Sequence, residues 1–249
     1  MIKEIISDLN AKALPDQLSM DEAKEKGHFV HSKPTPENSI ILLIDHQIGL
    51  ISSVRTPALA ELKNNILGLA KTAKALDIPV LISSSNAQWQ NGDTLTEIKE
   101  LFPDEPIYRR TGIINAYEDP TFREALMTLI KDTGRDHLII SGVTIGTCCT
   151  FPTLSLLNDG YRVFPVIDSC GAWNELEYQA AITRMGNAGA ELVSTFSLAC
   201  ELQEDWKKPS ANDMFEPFLN YLSEYGLVIE NYWNNANKPV VKDPFKDVE

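Results

Sequence analysis

At 249 residues the chain is long for one domain and short for two, and its 43% hydrophobic and 23% charged content is ordinary for a globular protein. A formal net charge of −13, from 22 basic against 35 acidic residues with no dense Lys/Arg cluster, argues against a nucleic-acid partner. Nowhere do about eighteen apolar residues run together, so no membrane span is expected.

The first residues, MIKEIISDLNAKALPDQ, carry acids within their only apolar stretch and lack a secretory h-region. The four cysteines, Cys148, Cys149, Cys170 and Cys200, form no CxxC pair and no Cys/His cluster at metal spacing, so neither a disulfide framework nor a structural metal is indicated. A reducing, cytoplasmic setting is the expectation.

Residues 1–38 read as an N-terminal arm: one helical stripe, Ile2, Ile5, Ile6 and Leu9, is followed by Pro15, Gly27, Pro34 and Pro36, which break regular structure. Residues 39–45, SIILLID, form the first strong strand, a continuous aliphatic run that implies burial on both faces of a parallel sheet. It ends in Asp45. In open α/β sheets ligands sit beyond the carboxyl ends of the strands, which gives this carboxylate a reactive address. His46, with no second histidine nearby, reads as an ordinary strand-end residue.

A helix is expected over 57–76, with Leu62, Ile66, Leu69, Ala73 and Leu76 on one face. A second buried strand, 77–83, leads into the polar loop SSSNAQWQNGD at the active edge of the sheet, where Trp89 is a candidate pocket wall. A short helix over 94–102 follows, and then an extended segment over 107–115 carrying Arg109 and Arg110. Alternation sends these two arginines to opposite sides, so one can enter a pocket while the other meets water. Residues 119–133 read as a helix with Pro120 in its first turn.

The chain is organised around 136–158, DHLIISGVTIGTCCTFPTLSLLN. Leu138, Ile139 and Ile140 are of strand length, Gly142 and Gly146 bracket a turn, and Phe151, Leu154 and Leu157 resume at helical spacing. Cys148 and Cys149 fall where that helix begins. Unpaired N–H groups and the partial positive charge of a helix N-terminus favour thiolate over thiol, and the same N–H groups suit a developing oxyanion. Further on come a strand over 161–168, a helix over 174–188 opened by Asn174 with Glu177 in a capping-box pattern, a strand over 191–196 and a helix over 197–206. Phe215, Phe218, Leu219 and Leu222 mark one more amphipathic helix, and residues 226–249 read as a tail. The recurring strand–helix order is that of a doubly wound, Rossmann-like three-layer α/β/α fold. Its boundaries are taken as arm 1–38, domain 39–206, and C-terminal helix and tail 207–249.

Four ordered stretches, LLIDHQIGL, IINAY, SGVTIGTCCTFPTLS and FSLACELQEDW, resemble those of the isochorismatase-like cysteine hydrolases, in particular the YcaC-like branch, over about residues 39–206. The resemblance implies a six-stranded parallel sheet, a homo-oligomer and an aspartate–lysine–cysteine triad carried here by Asp45, Arg110 and Cys148. Arginine stands where most members have lysine. Cys149, where valine is common, is given a packing role. The resemblance further implies a cis peptide at Val143–Thr144, with the backbone N–H groups of Thr144 and Cys148 as oxyanion donors; Ile145 stands where threonine is common. Asn115, within IINAY, joins Trp89 as a candidate pocket residue.

Nicotinamidases of the superfamily hold zinc through histidines after the second strand, and SSSNAQWQNGD has none, so no metal or other cofactor is expected. The function implied is hydrolysis of a small amide-type substrate through a thioester at Cys148. The alternatives are a catalytically silent binding or scaffold protein of the same fold and a hydrolase of vinyl ethers of the isochorismate type. A dinucleotide site would need a Gly-rich turn after the first strand, where DHQIGLISS offers only Gly49.

Overall fold

A computed structural model describes residues 32–236. Most of the 1–38 arm and the end of the 207–249 tail therefore lie outside the described residues. Five strands, β1 (Ser39–Ile44), β2 (Val80–Ser85), β3 (Ile107–Arg110), β4 (His137–Gly142) and β5 (Arg162–Pro165), form one parallel sheet in the order β3-β2-β1-β4-β5. The chain winds outward from β1 through β2 to β3, then returns to the other side of β1 with β4 and β5. The winding direction thus reverses between β1 and β4, where an open α/β sheet forms its crevice.

Every residue of β1 and β4 is buried, which explains their unbroken aliphatic runs. Period-two alternation still divides the core. Ile41, Leu43, Ile82 and Ile139 face Leu62, Ile66 and Leu69 of α2 (Leu59–Ala75), while Ile40, Leu42, Ile44 and Ile140 face Phe122 and Leu126 of the later helix over Pro120–Thr133. Each such Leu or Ile contributes about 1.5–3 kcal/mol relative to an exposed position. Besides α2, the helices in chain order are α1 (Ile48–Ser53), α3 (Thr96–Leu101), α4 (Pro120–Thr133), α5 (Thr150–Asn158), α6 (Glu175–Asn187), α7 (Thr195–Gln203), α8 (Ala211–Asn220) and α9 (Ser223–Asn235). Asp119 caps α4 by accepting from the N–H groups of Thr121 and Phe122, ahead of Pro120 in the first turn. Among the described residues no helix is long and apolar enough to cross a membrane.

Two expectations need correction. The sixth strand, placed at 191–196, is reduced to an isolated parallel bridge between Val166 and Val193. The N–H groups of Glu191 and Val193 donate to the Val163 and Pro165 carbonyls, so the segment does run along the edge of β5. Pairing stops there because α7 begins at Thr195, capped by Ser194. The tail expected from residue 226 instead continues as α9 to Asn235. Its polar Asn-rich composition hides a helix that buries Gly226 and Ile229 in a small apolar cluster with Met214, Phe218 and Leu222.

Candidate active site

Asp45 follows β1 directly, with φ 58°, a left-handed conformation that an aspartate adopts more readily than a branched residue. Its N–H donates to the Ser83 carbonyl at 3.0 Å, and the Asp45 carbonyl accepts from Gln47 N–H at 2.7 Å, so the chain turns sharply here. The side chain does not cap that turn. Oδ1 accepts from Ser83 Oγ at 3.2 Å, and Oδ2 is paired with Arg110 Nη2, both side chains being 0% exposed.

Arg110 ends β3, and the alternation that buries it sends Arg109 outward, where its Nη2 lies 3.9 Å from Asp93. Its second terminal nitrogen, Nη1, donates to the carbonyls of Ile113 at 2.5 Å and Ile114 at 2.8 Å. One planar guanidinium therefore ties the carboxylate to the following loop, a fork that a lysine ammonium cannot reproduce. Arg110 sits behind Asp45 and does not line the cavity.

Cys148 arrives from the neighbouring strand. After β4 the chain doubles back so closely that a Cβ on Gly142 would lie 3.0 Å from the Cys148 carbonyl carbon, so any larger residue there would push the backbone that carries the sulfur. A π-helical turn, Ile145–Cys149, then leads into α5. Ile44 and Gly142 are paired in register, which places the ends of β1 and β4, and hence Asp45 and Cys148, on the two sides of the crevice. Both residues line one cavity of about 250 Å³. Thr147 Oγ1 lies 3.6 Å from the sulfur and 2.9 Å from Thr144 Oγ1. The Val143–Thr144 peptide is cis, as the resemblance implies, and Thr144 also lines the cavity.

The expected ease of ionisation at Cys148 is not met. Burial, with the Asp45 charge adding to it, pushes the thiol up to about 12, against a smaller opposing effect of the Thr147 hydroxyl. The residue lies within the π turn, ahead of the α-helix that starts at Thr150, so desolvation beside a carboxylate outweighs any helix-terminus field. Cys149 is fully buried with its sulfur 3.9 Å from Met185 Sδ, a packing position. His46 is buried and pushed down to about 4; its Nε2 lies 2.9 Å from Ser141 Oγ, which donates to the Ser169 carbonyl. It is a neutral structural group.

Trp89 and Asn115 are not brought to the cavity. Trp89 is 70% exposed, and Asn115 is occupied locally: its Oδ1 accepts from Tyr117 N–H, and its Nδ2 donates to Glu118 and to Ser155 Oγ. The walls come instead from Asn86 and Asn91, from Ile114, and from Trp173 and Glu177 at the start of α6. The one sequence signal for these was position: they follow strand ends on the same edge of the sheet. Among the described residues no group of three or more His, Cys, Asp or Glu is arranged to hold a metal ion.

A family model, the isochorismatase domain, matches residues 39–197. The chain belongs to the isochorismatase family. It is 37% identical over 195 residues to the "Probable hydrolase YcaC" of Escherichia coli K12, covering 78% of this chain and 91% of that protein. Among solved structures it is similar to YcaC from Pseudomonas aeruginosa with hexane-2,5-diol and covalent acrylamide, with TM-score 0.77, 36% identity and coverage of 82% and 99%. It is likewise similar to the Escherichia coli YcaC structure, described as an octameric hydrolase of unknown specificity, with TM-score 0.77, 35% identity and coverage of 83% and 98%. The isochorismatase match ends within α7. Beyond it α8 and α9 are held by an aromatic cluster in which Trp206 stacks on Tyr225 and Phe218 meets Phe196 edge-on.

Proposed function

We propose that the protein is a cysteine hydrolase of small amide-type substrates. The observation that carries this reading is the shared cavity: Asp45 and Cys148 reach it from adjacent strands, with Arg110 buried against Asp45 from behind. As the sulfur attacks the substrate carbonyl carbon, Asp45 takes the thiol proton, so bond formation and deprotonation proceed together rather than from a standing thiolate. The oxyanion falls to the backbone N–H groups of Thr144 and Cys148; no acceptor among the described residues takes the Thr144 N–H. The C–N bond then breaks, the amine leaves with the proton held by Asp45, and water, activated by the same carboxylate, releases the acid from the thioester. Arg110 keeps its charge throughout and acts as a positioning residue. The hydrolase names of the YcaC relatives and the acrylamide attached to one of them support this reading.

The test is ammonia release from a panel of saturated primary amides, formamide to butyramide, by wild type and Cys148→Ala. Release by the wild type alone is expected, with the variant down about a thousandfold or more. Equal rates in the two proteins, or no release from any amide, sink the proposal, the latter in favour of a silent protein of the same fold.

We also infer a homo-oligomer. The Escherichia coli relative is octameric, and this chain exposes large apolar side chains, Trp89, Ile114, Trp173 and Leu176, 55–82% exposed, of which Ile114 and Trp173 line the cavity. Light scattering at micromolar concentration is expected to report a multiple of 27.7 kDa; a monomer contradicts it.

A further inference from the structure

We propose that the Cys148 cavity selects small uncharged amides and turns carboxylates away, with Glu177 setting that preference. This rests on the reading of Cys148 as the nucleophile and adds a substrate class to it.

Three observations support the assignment. First, among the described residues no lysine, arginine or histidine lines the cavity. The two arginines of β3 are committed elsewhere: Arg110 is 2% exposed and engaged by Asp45 and two carbonyls, and Arg109 points outward toward Asp93. Second, two carboxylates do line it, Asp45 at the base and Glu177 at the side. Glu177 is free to do so because α6 is capped in one direction only. Asn174 Oδ1 accepts from Glu177 N–H at 2.9 Å, but the Glu177 carboxylate does not reach back to the cap. It lies instead over the π turn, where a Cβ on Gly146 would meet Glu177 Oε1 at 3.3 Å. No salt bridge among the described residues engages it. Third, the remaining walls are neutral. Asn86 offers an amide, Ile114 an apolar surface, and Trp173, whose Nε1 donates to Ser53 Oγ at 2.9 Å, a fixed aromatic face.

The consequence is electrostatic. A carboxylate entering this space meets the Glu177 charge, which no salt bridge among the described residues engages, beside an Asp45 carboxylate already paired with Arg110, and finds no cation on the cavity wall to bind it; an amide of the same shape meets hydrogen-bonding groups. A volume of about 250 Å³ suits a small ligand such as a short-chain amide. A dicarboxylate vinyl ether of the isochorismate type does not match the charge of this lining.

The experiment uses a pair of isosteric electrophiles. Iodoacetamide and iodoacetate attach the same two-carbon unit to sulfur, forming an S–C bond as iodide leaves and the thiol proton goes to solvent, and they differ in charge alone. Modification of Cys148 in the full-length protein is followed at pH 9 with reagent at tens of millimolar by tandem mass mapping, each rate divided by that for N-acetylcysteine. The normalised iodoacetamide rate is expected to exceed the iodoacetate rate about tenfold or more. Glu177→Gln is expected to narrow that ratio by about threefold or more, and Glu175→Gln, at the exposed first residue of α6 and absent from the cavity lining, to leave it unchanged. Protection of Cys148 by propionamide but not by propionate is the independent readout. A normalised ratio near one, or a ratio insensitive to Glu177→Gln, overturns the proposal. If amide turnover survives in Cys148→Ala, the catalytic reading fails while the ratio still reports the charge preference; if turnover is lost and the ratio is near one, only the preference fails.

Discussion

Replacing Arg110 with methionine is expected to cost about 3–5 kcal/mol of folding stability. The magnitude follows from what the substitution strands: the Asp45 carboxylate, 0% exposed, keeps a single donor, Ser83 Oγ at 3.2 Å, and the Ile113 and Ile114 carbonyls lose theirs. Removing one partner of a buried pair leaves an uncompensated charge, which costs far more than the pair contributes as a whole. The double variant Asp45→Asn with Arg110→Met should therefore be more stable than Arg110→Met alone. Arg110→Lys restores the charge but not the fork, and belongs between wild type and methionine. Urea denaturation of the four proteins tests the set. A methionine variant within about 1 kcal/mol of wild type would mean that Arg110 is not the group that makes the Asp45 carboxylate tolerable in the interior.

Asp45→Asn is expected to separate two properties of the sulfur that a simple thiolate model ties together. The carboxylate is one of the two main causes that hold the Cys148 thiol up at about 12, the first being burial. Removing its negative charge moves the titration down, so alkylation by iodoacetamide at pH 9 should become faster in the variant. The same substitution removes the proton acceptor, and kcat/KM on an amide should fall by about 10²–10⁴-fold. Faster labelling with lost turnover is the signature of a base that works at the moment of attack. Labelling and turnover that fall together would instead mean that Asp45 maintains a standing thiolate, and turnover unchanged by the substitution would remove Asp45 from the chemistry.

The parts of this site that were legible in the sequence are those fixed by strands. A run such as SIILLID reads as a doubly covered parallel strand, and its final carboxylate then stands at the carboxyl end of that strand. Alternation along IYRR forces one arginine inward, and burial decides that it is Arg110. The remainder depends on side chains meeting across the fold. Glu177 reads locally as half of a capping box, and only the packing of α6 against the π turn turns its carboxylate toward Cys148. Trp89 has the composition of a pocket wall, yet the Gly49 N–H bonds to the Asn91 carbonyl and the loop from 86 to 93 packs on α1, leaving the indole outside. Thiol acidity is not legible for a related reason: a helix start is visible in the sequence, whereas the depth of burial beside Asp45 is a property of the assembled sheet.

The most direct measurement is mass spectrometry of the wild-type protein, acid-quenched during turnover of whichever panel amide is hydrolysed fastest. The account predicts a Cys148 peptide heavier by the acyl group, appearing within one turnover, decaying as substrate is exhausted and absent from Cys148→Ala. Sustained hydrolysis with that peptide unmodified at every quench time would contradict it.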